Sequence, residues 1–329
     1  MAAERGQHRR PDVAGHRDIR VALRRLRDVR EVAMQRVGVI GLGKMGMPIA
    51  LNLAMSGFEI IGYRRRGSPE LAEAGGIVAT SPAEVAERAD VLLSILPDGH
   101  AVEEVVCGER GTLTTLKPGT VHIEMSTIDV EHKDRIRAAV RAHGGDLLDC
   151  PISGSPGMVG PRLATTFVSG EPASIDAVRP VLDAISGPWV HTGPFGTGAA
   201  MKYIASMLVA VHTVAAAEAM VLARHTGLDL ELVQRTLDTS IASSAIWRQR
   251  GPVMQQRTWT PAPGPVDTLH AILEQVMDRT TGLGMQAPVF TSAKSVFDKA
   301  VADGWGHLDI ACVHDQIAGG SVLDRATTS

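Results

Sequence analysis

The sequence predicts an α/β domain built on a doubly wound parallel sheet, followed by an all-α domain, with one long helix joining the two. Three observations carry this reading. From Arg36 to about residue 196, short aliphatic runs alternate with helix-period stretches bounded by capping residues. Such alternation implies a parallel sheet with helical crossovers on both faces. After Thr197 the strand signals stop. The first strand also opens directly onto a glycine-rich turn, Gly41-Leu42-Gly43-Lys44-Met45-Gly46.

The elements follow in order. RVGVIG at 36–41 is the first strand. Met45 to Ser56 fits a helix, with Pro48 in its first turn and Gly57 just past its end. FEIIGY at 58–63 is the second strand. Ser81-Pro82-Ala83-Glu84 reads as a capping box: Ser81 caps, Pro82 takes the first helical position, and Glu84 reaches back. VLLSIL at 91–96 is a continuous apolar run, as central parallel strands are, and VHIEMS at 121–126 repeats it. A helix follows near Asp129–His143. Short strands are expected around Leu147–Cys150, Thr165–Val168 and Trp189–His191. An Ala-rich helix starts at Thr197. Helices then continue between turns such as HTGLD at 225–229 and PAPGP at 261–265. The expected division is 34–196 for the sheet domain and 197–329 for the helical domain.

Bulk properties narrow the function. The chain has 329 residues, 44% hydrophobic and 21% charged, which is ordinary for a globular protein of two domains. A net charge of −3 gives no reason to expect a nucleic-acid partner. Cys107, Cys150 and Cys312 are scattered and suggest neither a zinc site nor a disulfide framework. No apolar run reaches the roughly 18 residues of a membrane span without polar interruption. The stretch after Lys202 comes closest, but Ser206, His212, Thr213 and Glu218 break it. Residues 1–33 hold nine arginines and no lysine or aromatic, and lack the apolar segment of a secretory signal. They read as a flexible extension, with Met34 as a candidate start. The expected compartment is the cytoplasm.

The glycine turn carries the first chemical signal. A G-x-G-x-x-G between a strand and a helix is the dinucleotide-binding, or Rossmann, arrangement. Gly41 permits the tight turn, Gly43 lets a pyrophosphate approach the backbone, and Gly46 lets the helix pack on the strand. An NAD enzyme of this kind carries an acidic residue at the end of the second strand. Here the strand ends Tyr63-Arg64-Arg65-Arg66. Guanidiniums there suit the 2′-phosphate of NADP, so NADP(H) is favoured over NAD(H).

The second signal is Lys202, a lone cation one turn into an apolar helix, where an unpartnered charge is costly. At this point the chain resembles the β-hydroxyacid dehydrogenase family, which includes 3-hydroxyisobutyrate dehydrogenase and tartronate semialdehyde reductase. The resemblance spans about residues 36–325 and rests on four stretches. GLGKMGMPIALNL at 41–53 is close to the family's cofactor signature. Leu96-Pro97 and Ser126-Thr127 match loops that flank the cofactor and its nicotinamide end. DCPISGS at 149–155 is similar to the substrate loop. GPFGTGAAMKYIAS at 193–206 resembles the catalytic segment. The resemblance implies that Lys202 is the catalytic lysine. It also implies that Ser126, Ser153, Gly154, Ser155 and Ser206 face a small anionic substrate.

The chain departs from the family around that substrate pocket. Ser206 stands where an asparagine usually follows the lysine by one turn. Ser155 replaces a glycine of the substrate loop, and Arg162 replaces another further on; Arg162 is a candidate anion contact. A late Lys-Asp pair appears as Ala271-Ile272. These changes imply an altered substrate with retained redox chemistry. Two rival readings are an imine reductase, which usually has Asp or Tyr in place of Lys202, and a non-catalytic dinucleotide-binding module. The small residues at 215–217 and 219 suit close helix–helix packing, hence a homodimer or homotetramer.

Overall fold

A computed structural model describes residues 35–319. The expectations for residues 1–33 lie outside them. The first half runs β1 (Arg36–Ile40), α1 (Gly46–Met55), β2 (Glu59–Tyr63), α2 (Pro69–Glu73), β3 (Ile77–Val78), α3 (Pro82–Arg88) and β4 (Val91–Ser94). It continues through α4 (Gly99–Cys107), β5 (Val121–Glu124), α5 (Val130–Ala142), β6 (Asp146–Asp149), β7 (Ile152–Ser153), α6 (Pro156–Val159) and β8 (Thr165–Ser169). It closes with α7 (Pro172–Ala177), α8 (Arg179–Ile185) and β9 (Trp189–Gly193). The second half is helical: α9 (Thr197–His225), α10 (Leu230–Asp238), α11 (Ala245–Gln256), α12 (Val266–Gly282), α13 (Pro288–Ala302) and α14 (Val313–Ile317).

The strands form one sheet in the order β3-β2-β1-β4-β5-β6-β8-β7, with β9 on β8. The first six strands pair in parallel. The order reverses between β1 and β4, and ligands of such sheets bind in the crevice at that switch point. The sheet is not parallel throughout: β8 runs antiparallel to β6 and β7. The link from β7 to β8 holds only the single turn of α6, and a parallel return needs a dozen or more residues. The longer link carrying α7 and α8 makes β9 parallel to β8.

Strands β4 and β5 end earlier than their apolar runs. The strands end at Ser94 and Glu124, and the last ladder bonds run from the Ile95 N–H to the Ile40 carbonyl and from the Met125 N–H to the Ser94 carbonyl. The Ser126 hydroxyl then accepts the Leu96 N–H at 2.8 Å, so a side chain replaces the ladder. Ser81 caps α3 by accepting the Glu84 N–H at 3.1 Å. Glu84 reaches back one residue further than a capping box requires, to the N–H and hydroxyl of Thr80.

One core lies under the sheet, with Val37, Val39, Leu93 and Ile123 fully buried. A second fills the helical half around Met220, Leu273, Phe290 and Phe297. Helix α9 is long and apolar enough to cross a membrane by length and composition alone. Here it is the axis of the helical half, packed on α11, α12, α13 and α14.

Between the central strands, buried His122 Nε2 meets the Ser94 hydroxyl at 2.8 Å. Burial pushes its pKa down from 6.5 to about 4, so the folded state holds a neutral ring. The unfolded chain binds that proton near pH 6.5. The contribution of His122 is therefore complete above pH 6.5 and is lost as pH falls toward 4, by about 3 kcal/mol. Denaturant unfolding at pH 7 and 4.5 should show a smaller pH penalty in His122→Asn than in the native chain. Equal penalties would rule this source out.

Candidate active site

The glycine turn is shaped as its sequence requires. Gly41 has φ of +100°, and a Cβ there would strike the Ile95 carbonyl. A Cβ on Gly46 would strike the Gly41 carbonyl, so helix α1 can pack this closely only on glycine. Gly43 has open space above it. The loop therefore leaves a backbone cradle where a pyrophosphate fits. Lys44 is exposed beside it, while Leu42 is buried and Met45 half-buried.

A cavity of about 960 Å³ extends from this cradle. Its lining includes Gly41, Gly43, Leu96 and Pro97 together with Tyr63 and Arg64–Arg66. The three guanidiniums are exposed, and among the described residues none has an ion-pair partner. The cavity's place at the glycine turn fits a dinucleotide cofactor. Sequence reasoning missed Arg110, which joins the same lining and donates to the Thr80 carbonyl at 3.3 Å. Its only sequence signal is a positive charge in the turn after α4.

Lys202 lies on α9, outside that lining, where α9 meets β7. Its Nζ donates to the Ile152 carbonyl at 2.9 Å, and among the described residues no carboxylate pairs with it. Desolvation lowers its pKa from 10.5 to about 8. The ammonium thus sits beside the Ser153–Ser155 loop and can lose its proton near neutral pH. Ser153 and Ser155 are half-buried; Gly154, at φ of +150°, is exposed. A Cβ on Gly154 would come within 2.7 Å of the Ala164 Cβ, so the turn needs glycine.

Two of the expected contacts have protein partners. The Arg162 guanidinium donates to the Asn52 carbonyl and, at 2.7 Å, to the Ser56 hydroxyl. There it faces the carbonyl end of α1, where a cation is favourable, and its backbone takes the left-handed form, φ +59°. Ser126 is buried, and its hydroxyl orders the loop by accepting the Leu96 N–H. Ser206 is buried one turn after Lys202 and makes no side-chain hydrogen bond among the described residues. Thr127 is half-buried, and its carbonyl accepts the Gln275 amide at 3.3 Å. Gln275 sits one turn beyond Ala271 on α12. Its Oε1 accepts the Tyr203 hydroxyl at 3.0 Å, whose pKa burial raises to about 12. These bonds tie the helical half to the Ser126–Thr127 loop, a link that sequence reasoning missed because Gln275 belongs to no motif.

Comparison with known proteins agrees with this geometry. Residues 36–193 match the model for the NAD binding domain of 6-phosphogluconate dehydrogenase. Residues 196–315 match the model for the NAD-binding region of NADP-dependent 3-hydroxyisobutyrate dehydrogenase. A Dictyostelium discoideum protein named "Probable 3-hydroxyisobutyrate dehydrogenase, mitochondrial" is 30% identical, over 85% of this chain and 89% of that one. The chain belongs to the β-hydroxyacid dehydrogenase family. The 2-hydroxy-3-oxopropionate reductase of Escherichia coli K12 is 31% identical, over 83% of this chain and 94% of its own. A crystal structure of 3-hydroxyisobutyrate dehydrogenase from Salmonella typhimurium superposes with a TM-score of 0.78 at 28% identity, covering 86% of this chain and 99% of that one. As a β-hydroxyacid dehydrogenase family member, the protein is an NAD(P)-dependent oxidoreductase acting on CH–OH groups.

Proposed function

We propose that the protein is an NADP(H)-dependent enzyme interconverting a small β-hydroxy acid, or an analogue with another anionic group, and its aldehyde or ketone. Lys202 is the general acid and base. The observation that carries this is Lys202 itself: a desolvated amine, free of carboxylates, held at the β7 carbonyl next to the substrate loop.

The cofactor, when bound, supplies or accepts the hydride at the substrate carbon. The Gly41–Gly46 turn would hold its pyrophosphate, and Arg64 and Arg65 its 2′-phosphate. In the reducing direction, Lys202 Nζ donates one proton to the carbonyl oxygen as negative charge develops there. In the oxidising direction the neutral amine takes the hydroxyl proton. A pKa near 8 makes both forms available near neutrality. Ser153 and Ser155, with the backbone around Gly154, offer donors for the substrate's anionic group. Lysine argues against the imine reductase reading, because those enzymes usually place Asp or Tyr at this position.

The test is NADPH and NADH oxidation against small semialdehydes, keto acids and cyclic imines. Turnover of a carboxylate-bearing aldehyde, faster with NADPH, is the expected result. Turnover confined to imines would sink the proposal.

A further inference from the structure

Lys133 is fully buried on α5, on the same stripe as Ile136 and Val140. Its Nζ lies 2.8 Å from Glu124 Oε2 and 2.7 Å from Asp149 Oδ1, both fully buried. Burial disfavours the ammonium, but the two carboxylates together hold its pKa above the ordinary value. Each buried ion costs several kcal/mol of desolvation, and apolar replacements of such triads are often as stable. Stability is thus a poor reason for placing three charges here.

What the triad touches supplies a better one. Asp149 Oδ2 accepts the Ala199 N–H at 2.8 Å and the Ser169 hydroxyl at 3.0 Å. Ser169 Oγ in turn accepts the Gly198 N–H at 3.0 Å. A Cβ on Gly198 would lie 2.9 Å from Asp149 Oδ2, so the first turn of α9 is seated directly on this carboxylate. Lys202 is the next turn. Three residues beyond Asp149, Ile152 supplies the carbonyl that holds the Lys202 amine. On the other side, Glu124 Oε1 accepts the Ser126 N–H at 2.9 Å, and Ser126 holds Leu96. One buried cation therefore joins the catalytic helix, the substrate loop and both loops assigned to the cofactor.

We infer that Lys133, acting through Asp149 and Glu124, is a positioning residue that sets Lys202 against the substrate loop in register with the two cofactor loops. The inference rests on the proposed role of Lys202. It also answers what holds that lysine where the usual asparagine is Ser206.

Lys133→Met alone leaves two carboxylates facing each other, so the informative variant is Lys133→Met with Glu124→Gln. The glutamine keeps an acceptor for Ser126, and one carboxylate remains for α9. Ser169→Ala is the milder second variant, deleting the acceptor of Gly198 and one neutral donor to Asp149 while leaving all three charges in place. Two readouts are compared. The first is kcat and KM with the best substrate of the panel. The second needs no turnover: the pH dependence of Lys202 labelling by an amine-reactive reagent, mapped by mass spectrometry in the cofactor-free protein. In the double variant kcat should fall about 10- to 100-fold with KM changed far less, since small misplacement is costly. The labelling midpoint, near pH 8 in the native chain, should rise by about one unit as the amine regains solvent. Ser169→Ala should move both in the same direction by less, and it decides alone if the double variant does not fold. An unchanged labelling midpoint overturns the inference, whatever happens to kcat or melting temperature. Retained turnover in Lys202→Met would instead overturn the catalytic role and leave the labelling result standing.

Discussion

Lys202→Met is expected to fold, to bind NADPH within a few-fold of the native affinity, and to turn over about 10²–10⁴-fold more slowly. Methionine matches the length of the lysine stem and suits the apolar helix. The nucleotide cradle at Gly41–Gly46 is untouched, so binding should persist. The loss is the proton transfer at the substrate oxygen. Lys202→Arg should recover little, because a guanidinium stays charged at neutral pH and cannot shuttle a proton. The pH profile gives the sign of the effect. With the pKa lowered to about 8 by burial, carbonyl reduction should decline as pH rises through 8, while alcohol oxidation should rise. Both limbs should vanish from any residual activity of Lys202→Met. Steady-state rates from pH 6 to 10 decide the matter. A variant within a few-fold of native would make the lysine structural.

Arg64→Ala with Arg65→Ala is expected to weaken NADPH about 100-fold and NADH only a few-fold. Charge-assisted hydrogen bonds contribute about 1.5–3 kcal/mol each, and these are solvent-exposed, so the lower figure applies to each of two. About 3 kcal/mol is about 100-fold in affinity. Dissociation constants from fluorescence titration of both cofactors test it. Equal losses would detach the arginines from the 2′-phosphate. A large residual preference for NADPH would point to Arg66 or to Arg110, which share the cavity.

Much of this was legible in the sequence because it is written locally. Strand runs, helix caps and G-x-G-x-x-G depend on residues within a few positions of one another. So the switch from α/β to all-α at Thr197 and the steric need for glycine at Gly41 and Gly46 could be read from local sequence. Lys202 stood out because a charge in an apolar helix violates its local pattern. Lys133 violates its pattern too, as a lysine in step with Ile136 and Val140, but its partners lie 9 residues back and 16 ahead, on strands whose pairing sets the distance. The antiparallel turn of β8, the diversion of Arg162 to α1 and the burial of Ser126 were likewise decided by the tertiary structure. Each depends on which chain segment occupies the space beside it. Local sequence determined the elements and the chemical groups available to them. Packing across the sheet decided which groups meet, because a hydrogen bond or ion pair forms only where the fold brings its two ends within about 3 Å.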